Sequence, residues 1–283
     1  MNKKTMVLSW LTVAMLSLTA CSSDGTSSDQ NTDQAATPSA ELVTLKIGAS
    51  PTPHGEILRF INDNMAAQVG LVLDVVEFND YILPNKALDD GSLDGNYFQH
   101  LPYLEAQIEE FGYDFYAFPG VHIEPLGIYS AKHQDLNTLP QGATIGVSND
   151  PANQARGLRL LETAGFISLR ETGAQLPTID SVANNPFEVK LTQLEAQLLP
   201  SSMPDFDYVV INGNYAIDAG LQPSVDALQL EDPVNNPYSN MLVVRTSDKD
   251  RAELVTLDML LHSDQVREFI EETWTDGAVI PAF

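Results

Sequence analysis

Four rings crowd the segment Asn96-Tyr97-Phe98-Gln99-His100-Leu101-Pro102-Tyr103, and Tyr81 stands ahead of it. Phe98 and His100 lie two apart, so they share one face of an extended segment, and Pro102 suits the first turn of a helix that Tyr103 enters. Such rings can wall a slot for a long, thin apolar side chain. A thioether fits that slot, because sulfur is polarizable and favours aromatic edges. Rings at the ends of elements also serve as plain packing, so this segment alone does not decide the chemistry.

Asn149-Asp150-Pro151-Ala152-Asn153-Gln154-Ala155-Arg156 reads as a helix start: a capping Asn or Asp, then Pro at the first helical position. Asn153 and Arg156 then fall three apart on one face of the first two turns. A helix N-terminus with a planar guanidinium is a receptor for one carboxylate. Basic residues are usually placed late in a helix, so an arginine this early calls for an anion. Two amide clusters, Asn212-Gly213-Asn214 and Asn235-Asn236-Pro237-Tyr238-Ser239-Asn240, offer carbonyl oxygens to an ammonium group, although Asn is equally a turn residue. One fixed cation, several amide acceptors and an aromatic slot imply a receptor for a zwitterionic amino acid.

These residues need a scaffold, and the apolar spacing predicts one. Strand patterns at 42–49, 73–78, 127–130 and 143–147 alternate with helical spacing at 56–69, 81–88, 101–111 and 151–164. Further strands are predicted at 189–191, 208–211 and 241–245, and helices at 250–261 and 263–273. Strand-helix alternation predicts α/β sheets with helices on both faces, and the buried run 208–211 delivers Asn212 at its C-terminal edge, where such sheets place ligands. Two α/β lobes joined by crossings near Glu124-Pro125-Leu126 and Tyr238-Ser239-Asn240 would enclose a hinged cleft.

The amino end carries a different message. Lys3 and Lys4 precede an apolar run, Met6 to Leu18, too short to span a bilayer and ending in Leu18-Thr19-Ala20-Cys21. Residues 1–20 are read as a lipoprotein signal peptide and 21–40 as a lipidated, disordered tether. Cys21 is the lipidation site and the only cysteine, so no intramolecular disulfide or thiolate metal site is possible. The formal charge is −25, and cleavage would remove two lysines and no acid. That field repels nucleic acid and anionic headgroups alike.

At these residues the chain resembles the methionine-binding lipoproteins of the NlpA/MetQ family, the substrate-binding components of methionine ABC importers. The landmarks are Phe78-Asn79-Asp80-Tyr81, the Phe98-to-Tyr103 block, Asn149-Asp150-Pro151 with Asn153 and Arg156, Asn212 to Ala216, Asn236-Pro237-Tyr238-x-Asn240, and the tail Gly277 to Phe283. The resemblance implies a two-lobed periplasmic-binding-protein fold with two interdomain crossings and a ligand cleft. Lobe I would be 41–125 plus 240–283, and lobe II 126–239. It implies Arg156 and Asn153 on the ligand carboxylate, one of Asn212 and Asn214 and one of Asn236 and Asn240 on the amine, and Tyr81, Phe98, His100 and Tyr103 around the side chain. Methionine of either hand, or a methionyl dipeptide, would be the ligand, and an ABC permease complex the partner. A lipid-anchored monomer outside the cytoplasm is expected, without cofactor.

Three rival readings have less to stand on. No GxSxG elbow, HExxH pair or P-loop is present, which argues against an enzyme. His54, His100, His122 and His133 match no metal-ligand spacing, so no metal is expected. The same fold could serve as an outer-membrane or non-transport lipoprotein, since Ser22-Ser23 after Cys21 lacks an inner-membrane retention aspartate.

Overall fold

Alternation along Val43–Ala49 buries Leu45, Ile47 and Ala49 completely and leaves Thr44 and Lys46 exposed, in a computed structural model that describes residues 42–173 and 175–283. The signal peptide, Cys21 and the tether lie outside the described residues. Helix Glu56–Asn64 lays Ile57, Leu58 and Ile61 onto the same core, where Leu254, Leu257, Leu261, Val266 and Ile270 join from helices Ala252–Leu261 and Asp264–Thr273. Full burial of one such aliphatic side chain contributes about 1.5–3 kcal/mol.

Val43–Ala49 pairs in parallel with Leu71–Glu77 on one side and Gly95–His100 on the other. Asn240–Arg245 then inserts antiparallel between Gly95–His100 and Phe115–Ile123, and Ile280–Pro281 closes the far edge, which makes six strands. A second, five-stranded sheet runs Gln229–Leu230, Gly127–Tyr129, Tyr208–Ile211, Thr144–Ser148, Lys190–Leu194. Its own core gathers Leu126, Ile128, Ile145, Val147, Leu158, Leu161, Phe166 and Val210 against helix Pro151–Thr163. The chain leaves the first sheet after Ile123, enters the second at Gly127, and returns between Leu230 and Asn240. This is the two-lobed α/β architecture with two crossings that the sequence predicts. Among the described residues no helix is long and apolar enough to cross a membrane.

Local differences have local causes. The helix predicted over 56–69 stops at Asn64 and resumes as a 3-10 turn, Ala66–Val69. The helix predicted from Tyr81 begins at Leu83, because the Asp80 carboxylate accepts from the Ile82 and Leu83 N–H groups, each at 2.8 Å, and holds Tyr81 outside it. Strand Phe115–Ile123 is not among the elements that the apolar spacing predicts. Its register against Asn240–Arg245 shifts twice, and such irregularity accommodates a proline that cannot donate to the ladder.

Candidate functional site

The strand Gly95–His100 is buried along its whole length, and its pairing slips between Met241 and Leu242 so that Phe98 has no opposite residue. A bulge of this kind re-aims side chains, and here Phe98, Gln99 and His100 all line one cavity between the lobes. His100 then ends the strand and caps the next helix, Leu101–Phe111: its Nδ1 accepts from the Tyr103 N–H at 3.2 Å. Nε2 is left to donate, and it meets Asn153 Oδ1 of the other lobe at 3.2 Å.

Tyr103, one turn into that helix, donates its hydroxyl to the Tyr81 carbonyl at 2.7 Å. Tyr81, Phe98 and Tyr103 stand with ring centroids 5.8–6.0 Å apart, three walls of one apolar box. The Tyr81 hydroxyl crosses to Asn214 Oδ1 at 2.6 Å, and the Tyr215 ring lies tilted against Tyr81 at 4.8 Å with its own hydroxyl on the Asn79 carbonyl. Burial raises the pKa of Tyr81, Tyr103 and Tyr215, so all three are neutral phenols and donors.

From the second lobe, Asp150 caps helix Pro151–Thr163 by accepting from the Asn153 N–H at 2.8 Å, with Pro151 in the first turn as predicted. Asn153 lines the cavity with both ends of its amide engaged: Nδ2 donates to Asp150, and Oδ1 accepts from His100 and from Asn212 Nδ2 at 2.8 Å. Arg156 is 4% exposed and reaches the same cavity. Its Nε and Nη2 grip the Glu231 carboxylate at 2.6–3.1 Å, Nη2 also donates to the Glu124 carbonyl at 2.9 Å, and its plane lies 4.3 Å from the Tyr238 ring centre. Nη1 donates to no described residue. Asn212 and Asn214 flank Gly213, where a Cβ would stand 2.6 Å from Glu124 Cβ, so only glycine lets this helix start approach the crossing.

Nine of the ten side chains proposed from sequence therefore meet at one cavity: Tyr81, Phe98, His100, Tyr103, Asn153, Arg156, Asn212, Asn214 and Asn240. Asn236 does not. Its amide folds a turn, donating to the Asp232 carbonyl and accepting from the Tyr238 N–H, each at 3.0 Å, away from the cavity. Asn240, its partner in that pair, lines the cavity.

Sequence reasoning missed Gln99, Glu124, Glu231 and Tyr238. Glu124 is the most consequential. Its Oε1 accepts from His122 Nε2 at 2.8 Å and faces His54 Nε2 at 3.3 Å, and the three residues are buried together. Tyr97 holds His122 from behind through Nδ1. Burial lowers His54 to a pKa of about 4 and His122 to about 3, so both rings are neutral, and burial raises the Glu124 carboxyl. His54, His122 and Glu124 bring one potential ligand atom each within 4.8 Å of one another. An acid set between apolar Ile123 and Pro125-Leu126 was the available signal.

A sequence profile of the NlpA lipoprotein family matches residues 45–283. The methionine-binding lipoprotein MetQ of Bacillus subtilis is 38% identical over 84% of this chain and 87% of its own length. The D-methionine-binding lipoprotein MetQ of Escherichia coli K12 is 36% identical over 83% and 87%. Among solved structures, a nutrient binding protein from Burkholderia cenocepacia bound to methionine superposes with a TM-score of 0.80 at 40% identity, covering 84% of this chain and all of that one. With the profile spanning both lobes and both crossings, the chain belongs to the NlpA lipoprotein family.

Proposed function

We propose that this protein captures methionine, or a close relative such as its D-isomer or a methionyl dipeptide, and delivers it to the permease of an ABC importer. The observation that carries the reading is a single interlobe cavity joining a guanidinium with an unengaged Nη1, free amide groups and a three-ring box. The ligand carboxylate meets Arg156 Nη1, with Asn153 fixing the surrounding amides. Asn212 Oδ1 and Asn240, rather than Asn236, face the amine. The thioether enters the box of Tyr81, Phe98 and Tyr103, where sulfur against aromatic edges contributes about 0.3–1.5 kcal/mol. His100 closes the wall between the two ends.

The lobes divide at 41–125 plus 240–283 and 126–239, and they open and close about the two crossings. Closure presents one face of each lobe to the permease. Lipid on Cys21 tethers the protein, as a monomer, to the membrane outside the cytoplasm, and Cys21→Ser should move it from the membrane fraction to the soluble one.

The direct test is to denature the purified protein and identify the small molecule released by mass spectrometry. Methionine or a methionyl compound is expected. A ligand without an α-amino acid end, or a metal ion alone, would overturn the reading.

A further inference from the structure

We infer that Asn85, which lies behind the ligand cavity and not on its wall, is the positioning residue that fixes which side chains strand Gly95–His100 presents to the ligand, and is thereby a determinant of side-chain specificity. The inference rests on the reading of the cavity as an α-amino-acid site and carries it outward to a residue that lines no part of that site.

Strand parity leads there. In a regular strand successive side chains point to opposite faces, so positions three apart lie on opposite faces too. Here Asn96 and Gln99 are three apart and hydrogen bonded, Gln99 Nε2 donating to Asn96 Oδ1 at 2.9 Å, and Phe98, Gln99 and His100 all line one cavity. Both observations require the extra residue at Phe98, where Gln99 pairs with Met241 and Tyr97 with the very next residue, Leu242. A one-residue slip that erased the bulge would turn side chains on one flank of it to the other face.

Asn85 staples the bulge shut. It sits in helix Leu83–Asp89, which is held one turn later by fully buried Leu88 in a core shared with Met241 and Val243. Its Oδ1 accepts from Gln99 Nε2 at 2.7 Å and from Asn96 Nδ2 at 2.9 Å, and its Nδ2 donates to Gln99 Oε1 at 3.0 Å. Asn96 Nδ2 gives its second hydrogen to the Pro84 carbonyl at 3.3 Å. Each of the three amides thus bonds both others, and none is more than 2% exposed. Reversing any one would set oxygen against oxygen, so the ring of amides has a single arrangement, and that arrangement exists only with the bulge in place. The residue that the bulge leaves without an opposite is Phe98, a wall of the three-ring box. Loosening the staple therefore disturbs the box, whereas Arg156 stands on a helix of the other lobe.

The experiment compares methionine with alanine, which has the same amino-acid end and a side chain too short for the rings. Calorimetry on wild type and Asn85→Ala, with alanine measured by competition against methionine, should show methionine weakened by about tenfold or more in the folded variant and alanine by about threefold at most. A purely structural role would lower Tm and leave both affinities of the folded protein as they are. That result overturns the inference, as do equal losses for the two ligands. Should Asn85→Ala fail to fold, Asn85→Asp keeps the oxygen that joins Asn96 to Gln99 and gives up only the donor to Gln99 Oε1. Methionine should then weaken about threefold more than alanine, and equal losses again count against the assignment. A wild type that binds neither ligand overturns the amino-acid reading itself, which separates the two failures.

Discussion

Arg156 and Glu231 are joined through one edge of the guanidinium, with Nε 3.0 and 3.1 Å and Nη2 2.6 Å from the carboxylate oxygens, which leaves the Nη1 corner without a partner among the described residues. Glu231 belongs to the returning crossing and the Glu124 carbonyl to the outgoing one, so a single side chain of the second lobe ties both crossings at once. The same residue that balances a charge also joins the two crossings.

Removing it should therefore act twice. Arg156→Ala is expected to weaken methionine binding at least tenfold, because loss of one partner from a buried charge-assisted contact costs about 2–5 kcal/mol and about 1.4 kcal/mol is a decade. It should also lower stability by up to about 3–5 kcal/mol by leaving Glu231 unpaired. Calorimetry on the folded fraction checks the first effect, and unchanged affinity there would remove Arg156 from the site.

The aromatic box predicts a difference between ligands. Tyr103→Ala should weaken methionine far more than alanine, whose side chain does not reach the rings. Tyr103→Phe keeps the ring and gives up the bond to the Tyr81 carbonyl, so it should cost about 1 kcal/mol. Equal losses for methionine and alanine in the Ala variant would speak against the box as the side-chain pocket.

Closure is expected to depend on hydrogen bonds across the lobes. Tyr81→Phe deletes the 2.6 Å bond to Asn214 Oδ1 while leaving the ring in place. A net bond of about 1 kcal/mol corresponds to roughly fivefold, which should emerge mainly as faster methionine release in stopped-flow measurements. An unaltered release rate would mean that the bond is not part of the closed state's advantage.

Acid should act through the buried histidines. Burial holds His54 at about 4 and His100 and His122 at about 3, with Arg156 adding to the effect at His100, whereas in the unfolded chain each titrates near 6.5. Their folded pKa values are depressed, so the stabilisation is full above pH 6.5 and drains away as pH falls toward 4 and then 3. Glu124 and Asp150 act in the opposite sense: burial raises both carboxyls, which gives stabilisation present at low pH and lost as pH rises through their folded values. His100→Gln isolates one contribution. The stability gap between it and wild type should narrow below pH 6.5 by at most about 1.4 kcal/mol per pH unit in denaturant titrations, and a constant gap from pH 7 to 5 would contradict it.

How far the sequence reached is clearest in the two helix starts. Pro151 with Asp150, and Pro102 with His100, are local signals, since a cap and its N–H lie three residues apart; both helices begin where expected and carry Asn153, Arg156 and Tyr103 to the cavity. Glu231 and Tyr238 had no such signal. Their partner is a guanidinium in a helix distant in sequence, and only tertiary packing brings them together. Asn236 and Asn240 differ in the same way: spacing could not separate a turn residue from a cavity residue, because asparagine does both jobs with one amide. The family resemblance carried the fold and the ligand class. It did not carry Glu124, which only the fold brings beside His54 and His122.

Asn240–Arg245 is bonded on both flanks, wedged between strands made long before it. A chain that lacks this strand carries Gly95–His100 and Phe115–Ile123 with a gap between them, two raw edges without their keystone. The inserted half, whose five strands are complete by Leu230, is the first that can finish. Any truncation ahead of residue 240 leaves both of those edges unpaired, and unpaired strand edges favour aggregation.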